Sequence, residues 1–221
     1  MDLAIIICGC LIFTFWCYLY SKRDIAIINK KLEIKKLCPK GWKDVIRYLL
    51  IPITFFSVGL MLKLYYEFDL IFIFKRLFVL AILWPAAITD IKEMRIPNKL
   101  LIVGLIGRIV ILLFEFIFKS DVILDYLKSE GFALLGITLI CIICAFIVKG
   151  GLGMGDIKLM MVMSLYLGVE GICYSMFISV VFSSITAIIT LIIKKKSKKD
   201  TMPFAPFVLL GAVISFILCG V

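Results

Sequence analysis

Long apolar runs dominate this chain and constrain it more than anything else in it. They fall at about 3–20, 45–65, 72–90, 99–118, 131–148, 156–168, 171–193 and 204–220. A helix that crosses a bilayer needs roughly 20 apolar residues, whereas a barrel strand alternates with period two. The runs are continuous, so they predict helices. With 63% of its residues apolar and 18% charged, the chain carries more apolar surface than one soluble core of this size can hide. The same proportions exclude disorder. The expected fold is all-α: a polytopic transmembrane helical bundle of about eight spans.

Charge sets the expected orientation. Lys22 and Arg23 follow the first run directly, and Met1-Asp2 before it has no basic residue and no cleavage site after it. That pattern reads as a signal anchor with its N-terminus outside, not a cleaved signal peptide. Eight spans from that start put 19 Lys and Arg in segments 21–47, 89–99, 149–158 and 194–203, with seven acids. The other face, at the N-terminus, 63–69, 115–130 and Glu170, carries three basic residues and eight acids. This is a strong positive-inside signal. The net charge of +10 therefore points to anionic lipid at the inner face and not to nucleic acid. Segment 22–43, with Ile25, Ile28 and Leu32 on one stripe, reads as a basic amphipathic stretch on the inner surface that ends at Cys38-Pro39-Lys40-Gly41.

Histidine is absent. That removes Ser-His-Asp and Cys-His triads, HExxH zinc sites and histidine proton shuttles together. Seven of the eight cysteines lie inside apolar runs as small hydrophobes, and Cys38 alone makes no metal site. No metal and no cofactor is expected.

Two aspartates remain conspicuous, because a charge in a span costs roughly 2.5–3.5 kcal/mol even on lenient scales. Asp90 is 14 residues beyond Arg76, about 21 Å along a helix, and so falls short of open cytosol. Asp156 follows Gly150, Gly151, Gly153 and Gly155 and precedes an apolar run that ends at Gly168. That run is too short to cross from the inner surface. The glycine-rich backbone should dip into the membrane and start the helix at depth, which is tolerated only when buried or lining water. The two carboxylates then share a depth. Taken singly, each also reads as a helix-terminal residue, Asp156 as a cap and Asp90 paired with a lysine. Together they suit an aspartyl-protease dyad, in which two close carboxylates share one proton and activate water. Two rival readings are an ion- or proton-coupled transporter with buried aspartates and broken helices, and a non-catalytic assembly subunit. The expected internal repeat of a transporter is missing apart from Asp-Ile-Lys at 90–92 and 156–158. The acidic pair argues against the subunit.

Asp90 with Ile96-Pro97-Asn98, then Gly153-Met154-Gly155-Asp156-Ile157-Lys158-Leu159, then Met202-Pro203-Phe204-Ala205-Pro206-Phe207 resemble the type IV prepilin peptidases, bacterial GxGD membrane aspartyl proteases. The resemblance covers roughly 72–220. It implies a catalytic membrane domain over 72–221, with 1–71 supplying N-terminal spans and the basic segment. It implies that Asp90 and Asp156 are catalytic, with Glu93, Pro97, Gly153, Gly155, Lys158, Pro203 and Pro206 binding substrate or shaping the site. Implied partners are prepilins or pseudopilins with a short basic leader, cut on the cytoplasmic side of the inner membrane just before the apolar stem. Glu93 is an acid available to that leader. Many members carry two CxxC pairs after the first span. Here that region is short and holds Cys38 alone, which argues against zinc and against N-methylation of the new amino terminus. The family usually has Gly where Ala205 stands, and the presenilin-like branch would show Tyr-Asp where Thr89-Asp90 stands. Residues two apart on a helix point about 200° apart, so Lys158 should pair away from Asp156.

Overall fold

The computed structural model describes residues 2–32, 42–147, 153–193 and 202–220, without the side chains at 21–32, 42–48 and 145. The described residues form seven helices and no strand: α1 (Asp2–Leu32), α2 (Trp42–Leu64), α3 (Leu70–Glu93), α4 (Asn98–Phe118), α5 (Ile123–Ile147), α6 (Met154–Ile192) and α7 (Ala205–Leu218). Five are long and apolar enough to cross a membrane (α1, α3, α4, α5 and α6), and 49–64 and α7 are shorter apolar helices. The chain is an all-α helical bundle of membrane character.

Every apolar run becomes helix, but not always with the expected bounds. α1 passes without a break from the first run into the basic segment as far as Leu32. Residues 33–41, with Cys38 and the expected turn, lie outside the described residues, as do the basic loop 194–200 and the start of the glycine-rich loop at 148–152. The runs at 156–168 and 171–193 are the two helical arms of α6, separated as expected at Gly168, whose φ of +67° and ψ of −171° are not helical. Glycine reaches that conformation without the steric cost other residues meet.

α3 is the axis of the bundle. It packs against α1, α2, α4, α6 and α7, and Ile73, Leu77, Leu80, Leu83, Ala86 and Ile88 are all buried along it. Pro85 lies inside α3 and has no N–H to give the carbonyl of Ala81. The Cys17 thiol of α1 donates to that carbonyl at 3.8 Å. Trp84 Nε1 donates to Thr54 Oγ1 of α2 at 2.9 Å. The second arm of α6 lies against α7 through small residues: Ser175 and Ser215 hydroxyls are 2.8 Å apart, and a Cβ on Gly211 would overlap Ser175 and Ser179. Close approach of small residues is the usual way helices associate where no water drives them together.

The segment 115–130, read from sequence as a polar stretch between spans, is mostly helix: α4 runs to Phe118 and α5 starts at Ile123. Glu115 lies in the last turns of α4 and Glu130 within α5, both buried. They form a closed ring with two buried cations: Lys75 to Glu115 at 3.1 Å and to Glu130, Arg108 to Glu115 at 2.8 Å and to Glu130 at 2.5 Å. A buried ion is tolerable only when paired in this way. Arg108 of the ring, with Arg76 and Ser129 beside it, also satisfies the backbone groups left open by the break in α6. Val169 N–H, which an unbroken helix would give to Leu165, goes to Ser129 Oγ. Arg108 Nε donates to the Leu165 carbonyl at 2.8 Å, and Arg76 Nη1 to the Tyr166 carbonyl at 2.6 Å. The basic residues found inside spans therefore cap the first arm of α6.

Candidate active site

Asp90 is in the last turn of α3. Its own carbonyl accepts the N–H of Met94, a left-handed C-cap residue (φ 53°) that turns the chain toward Ile96-Pro97-Asn98. Thr89 beside it bonds back to the carbonyls of Pro85 and Ala86 and so keeps its hydroxyl out of the site. Asp90 is buried, 5% exposed, and its Oδ2 accepts the backbone N–H of Ala205 at 2.9 Å. The N–H of Phe204 also points to this carboxylate. Both donors come from the start of α7, where backbone N–H groups have no partner within the helix. Pro206, in that first turn, wastes no donor.

Asp156 opens α6 at the third helical position after the N-cap Gly153. Its carboxylate accepts the N–H of Gly153, the acidic half of a capping box. The two glycines of the motif have separate physical reasons. A Cβ on Gly153 would lie 2.8 Å from Asp156 Oδ2, so any side chain there would displace the carboxylate. A Cβ on Gly155 would lie 3.2 Å from Ile96 Cβ, so Gly155 lets α6 approach the turn between α3 and α4.

Both carboxylates border one cleft of about 300 Å³, together with Met94, Arg95, Ile96, Asn98, Gly153, Met154, Gly155 and Lys158. Asp156 Oδ1 is buried and has no hydrogen-bond partner among the described residues. Lys158 makes a long 3.4 Å contact with Asn98 Oδ1. Another cavity, of about 360 Å³, borders Lys75, Arg76, Glu115 and Glu130. Its buried carboxylates, Glu115 and Glu130, are committed to ion pairs, whereas neither aspartate of the smaller cleft has a cationic partner among the described residues.

Of the residues singled out from sequence, Asp90, Gly153, Gly155, Asp156 and Lys158 are brought together. Glu93 ends α3 as an exposed residue and does not border the cleft. Pro97 is the N-cap of α4, and Pro203 and Pro206 flank the start of α7, so these three set helix starts and do not line the cleft. Arg95 and Asn98 were not singled out and do line it. Among the described residues no group of three or more Asp, Glu or Cys could hold a metal ion.

The sequence pattern of the type IV leader peptidase family matches residues 77–194, more than half of the chain and a stretch that holds both aspartates. The chain belongs to the type IV leader peptidase family. It is 30% identical over 148 residues to the prepilin leader peptidase/N-methyltransferase of Bacillus subtilis (strain 168), covering 66% of this chain and 56% of that protein. The chain thus spans little more than half the length of that relative. No solved structure matches it. The family match ends before the Pro203–Phe207 stretch, whose backbone nevertheless reaches Asp90.

Proposed function

We propose that this protein is a membrane aspartic endopeptidase that removes the short basic leader of prepilin or pseudopilin substrates, using Asp90 and Asp156 with water. The observation that carries the reading is the shared cleft: two carboxylates on one hollow, one of them with a buried oxygen that has no partner among the described residues. Family membership supplies the reaction class. The charge asymmetry of the loops supports a cytoplasmic position for the cleft and a place in the bacterial inner membrane.

In this mechanism the dyad carries one proton. Water is held at Asp156 Oδ1 and attacks the scissile carbonyl. The ionised carboxylate takes the water proton as the C–O bond forms, and the protonated one donates to the carbonyl oxygen. Collapse of the tetrahedral gem-diol breaks the C–N bond: the protonated carboxyl gives its proton to the departing amine, and the other carboxylate takes a hydroxyl proton from the diol, which restores the one-proton dyad. Asp90 is kept in register by the N–H groups of α7, so it need not reorganise during the reaction. The reading is limited to hydrolysis. The test is co-expression with candidate prepilins: leader removal by the wild-type protein, absent for Asp90→Asn and Asp156→Asn, is the expected result. Unchanged substrate with the wild-type protein would refute it.

A further inference from the structure

Next to the cleft lies a second hollow of about 500 Å³ between α4, α5 and α6, sharing Asn98 and Lys158 with it. Its walls are two matched stripes. On α4, Leu101, Ile102 and Leu105 follow Asn98 at helical spacings of three, four and seven. On α6, Met161 and Leu165 follow Lys158 at three and seven. Both helices begin at the cleft, so the groove runs away from it for seven residues, roughly 10 Å or two helical turns. The polar pair Asn98–Lys158 stands at its head, and only apolar side chains line it beyond.

We propose that this groove holds the first two turns of the apolar segment that follows the scissile bond in the substrate, and so sets where the bond falls relative to the dyad. The proposal rests on the leader-peptidase reading. Continuity is one argument, because a chain lying across the dyad passes Asn98 and Lys158 directly into the groove. Charge is another. Lys158 at the groove head and Arg95 in the cleft repel a basic leader, so the groove takes the other side of the bond. Ile102 and Leu105 are 54% and 43% exposed, so the groove opens sideways to lipid. An apolar walled groove offers no partner for backbone N–H groups, so its occupant must be helical.

The test uses the full chain in proteoliposomes, with a substrate that has a basic leader and a 20-residue apolar stem. Leu105→Trp and Ile102→Trp fill the groove from its open side and should each raise KM about tenfold. Phe177→Trp, on the exposed second arm of α6, should keep the wild-type KM. In an Asp156→Asn background, a benzophenone residue at position 105 should crosslink to the first eight residues of the stem, and one at position 177 should not. Unchanged KM in both groove variants overturns the proposal, as do crosslinks to the leader or equal crosslinking from 177. If wild-type enzyme leaves the substrate uncut, the leader-peptidase reading itself fails and the groove assignment falls with it.

Discussion

The side chain of Asp90, at the end of α3, accepts a hydrogen bond from the backbone N–H of Ala205, 115 residues later at the start of α7. This ties the Pro203–Phe207 stretch to the site. The stretch contributes no side chain to the cleft. Its prolines fix a helix start, and that start presents an N–H to a carboxylate in a place where little water is available to do so.

Loss of that N–H should therefore be felt in cleavage. A hydrogen bond to a charged group is worth about 1.5–3 kcal/mol, or roughly 10–100-fold in rate. Ala205→Pro should lower the cleavage rate by that amount, whereas Ala205→Gly keeps the donor and should stay near wild type. Rates of both variants, normalised to protein recovered from the membrane, decide this. Equal rates would show that the bond does not matter.

The glycines before Asp156 should differ in cost. Gly153→Ala puts a methyl 2.8 Å from the Asp156 carboxylate, and Gly155→Ala puts one 3.2 Å from Ile96, which can shift by a few tenths of an ångström. Gly153→Ala should lose most cleavage while inserting normally, and Gly155→Ala should lose less. A reversed order in a leader-removal assay would contradict the capping geometry.

The ion ring predicts a stability effect without a catalytic cause. Glu130→Gln leaves Lys75 and Arg108 with one carboxylate between them, and breaking a buried pair costs about 3–5 kcal/mol. Gly168→Ala should cost roughly 1–3 kcal/mol from its backbone conformation alone, before the Cβ meets Ser129 Oγ at 2.8 Å. Both should lower the melting temperature in detergent clearly, and Asp90→Asn should not.

Local pattern carried the fold and the aspartates, and long-range pairing was out of its reach. Apolar runs marked every helix, because a span must be apolar whatever it packs against. Asp90 and Asp156 stood out because an ionisable group in such a run is costly. Glu115 and Glu130 looked like loop acids. Only their meeting with Lys75 and Arg108, up to 55 residues away, reveals them as core. Gly168 was legible as the end of an apolar run, and α6 breaks there, but the arginines that satisfy the open carbonyls were not legible. Asn98 stood in the Ile96-Pro97-Asn98 motif, but its place in the cleft was not legible, since its partner Lys158 is 60 residues on. The Ala205 N–H had none either, because a backbone donor has no letter in the sequence.

The dyad gives the sharpest prediction. Asp90→Asn and Asp156→Asn keep the side-chain shape and remove the ionisable group. Hydrolysis through a shared proton needs one carboxylate to take a proton and the other to give it. Each variant should lose cleavage by about 10²–10⁴-fold, the usual worth of a positioned acid or base. The double variant should be no worse than either single one, because residues that act as a unit do not add. Lys158 makes its polar contact with Asn98 and not with a carboxylate of the dyad, so Lys158→Met should slow cleavage without ending it. All four proteins should reach wild-type levels in the membrane, since neither aspartate belongs to the ion ring that holds α3, α4 and α5 together. Leader removal followed by mass spectrometry of the mature substrate reads the outcome. Near-normal cleavage by either Asn variant would exclude the two-aspartate mechanism, and additive losses in the double variant would mean that the carboxylates act separately.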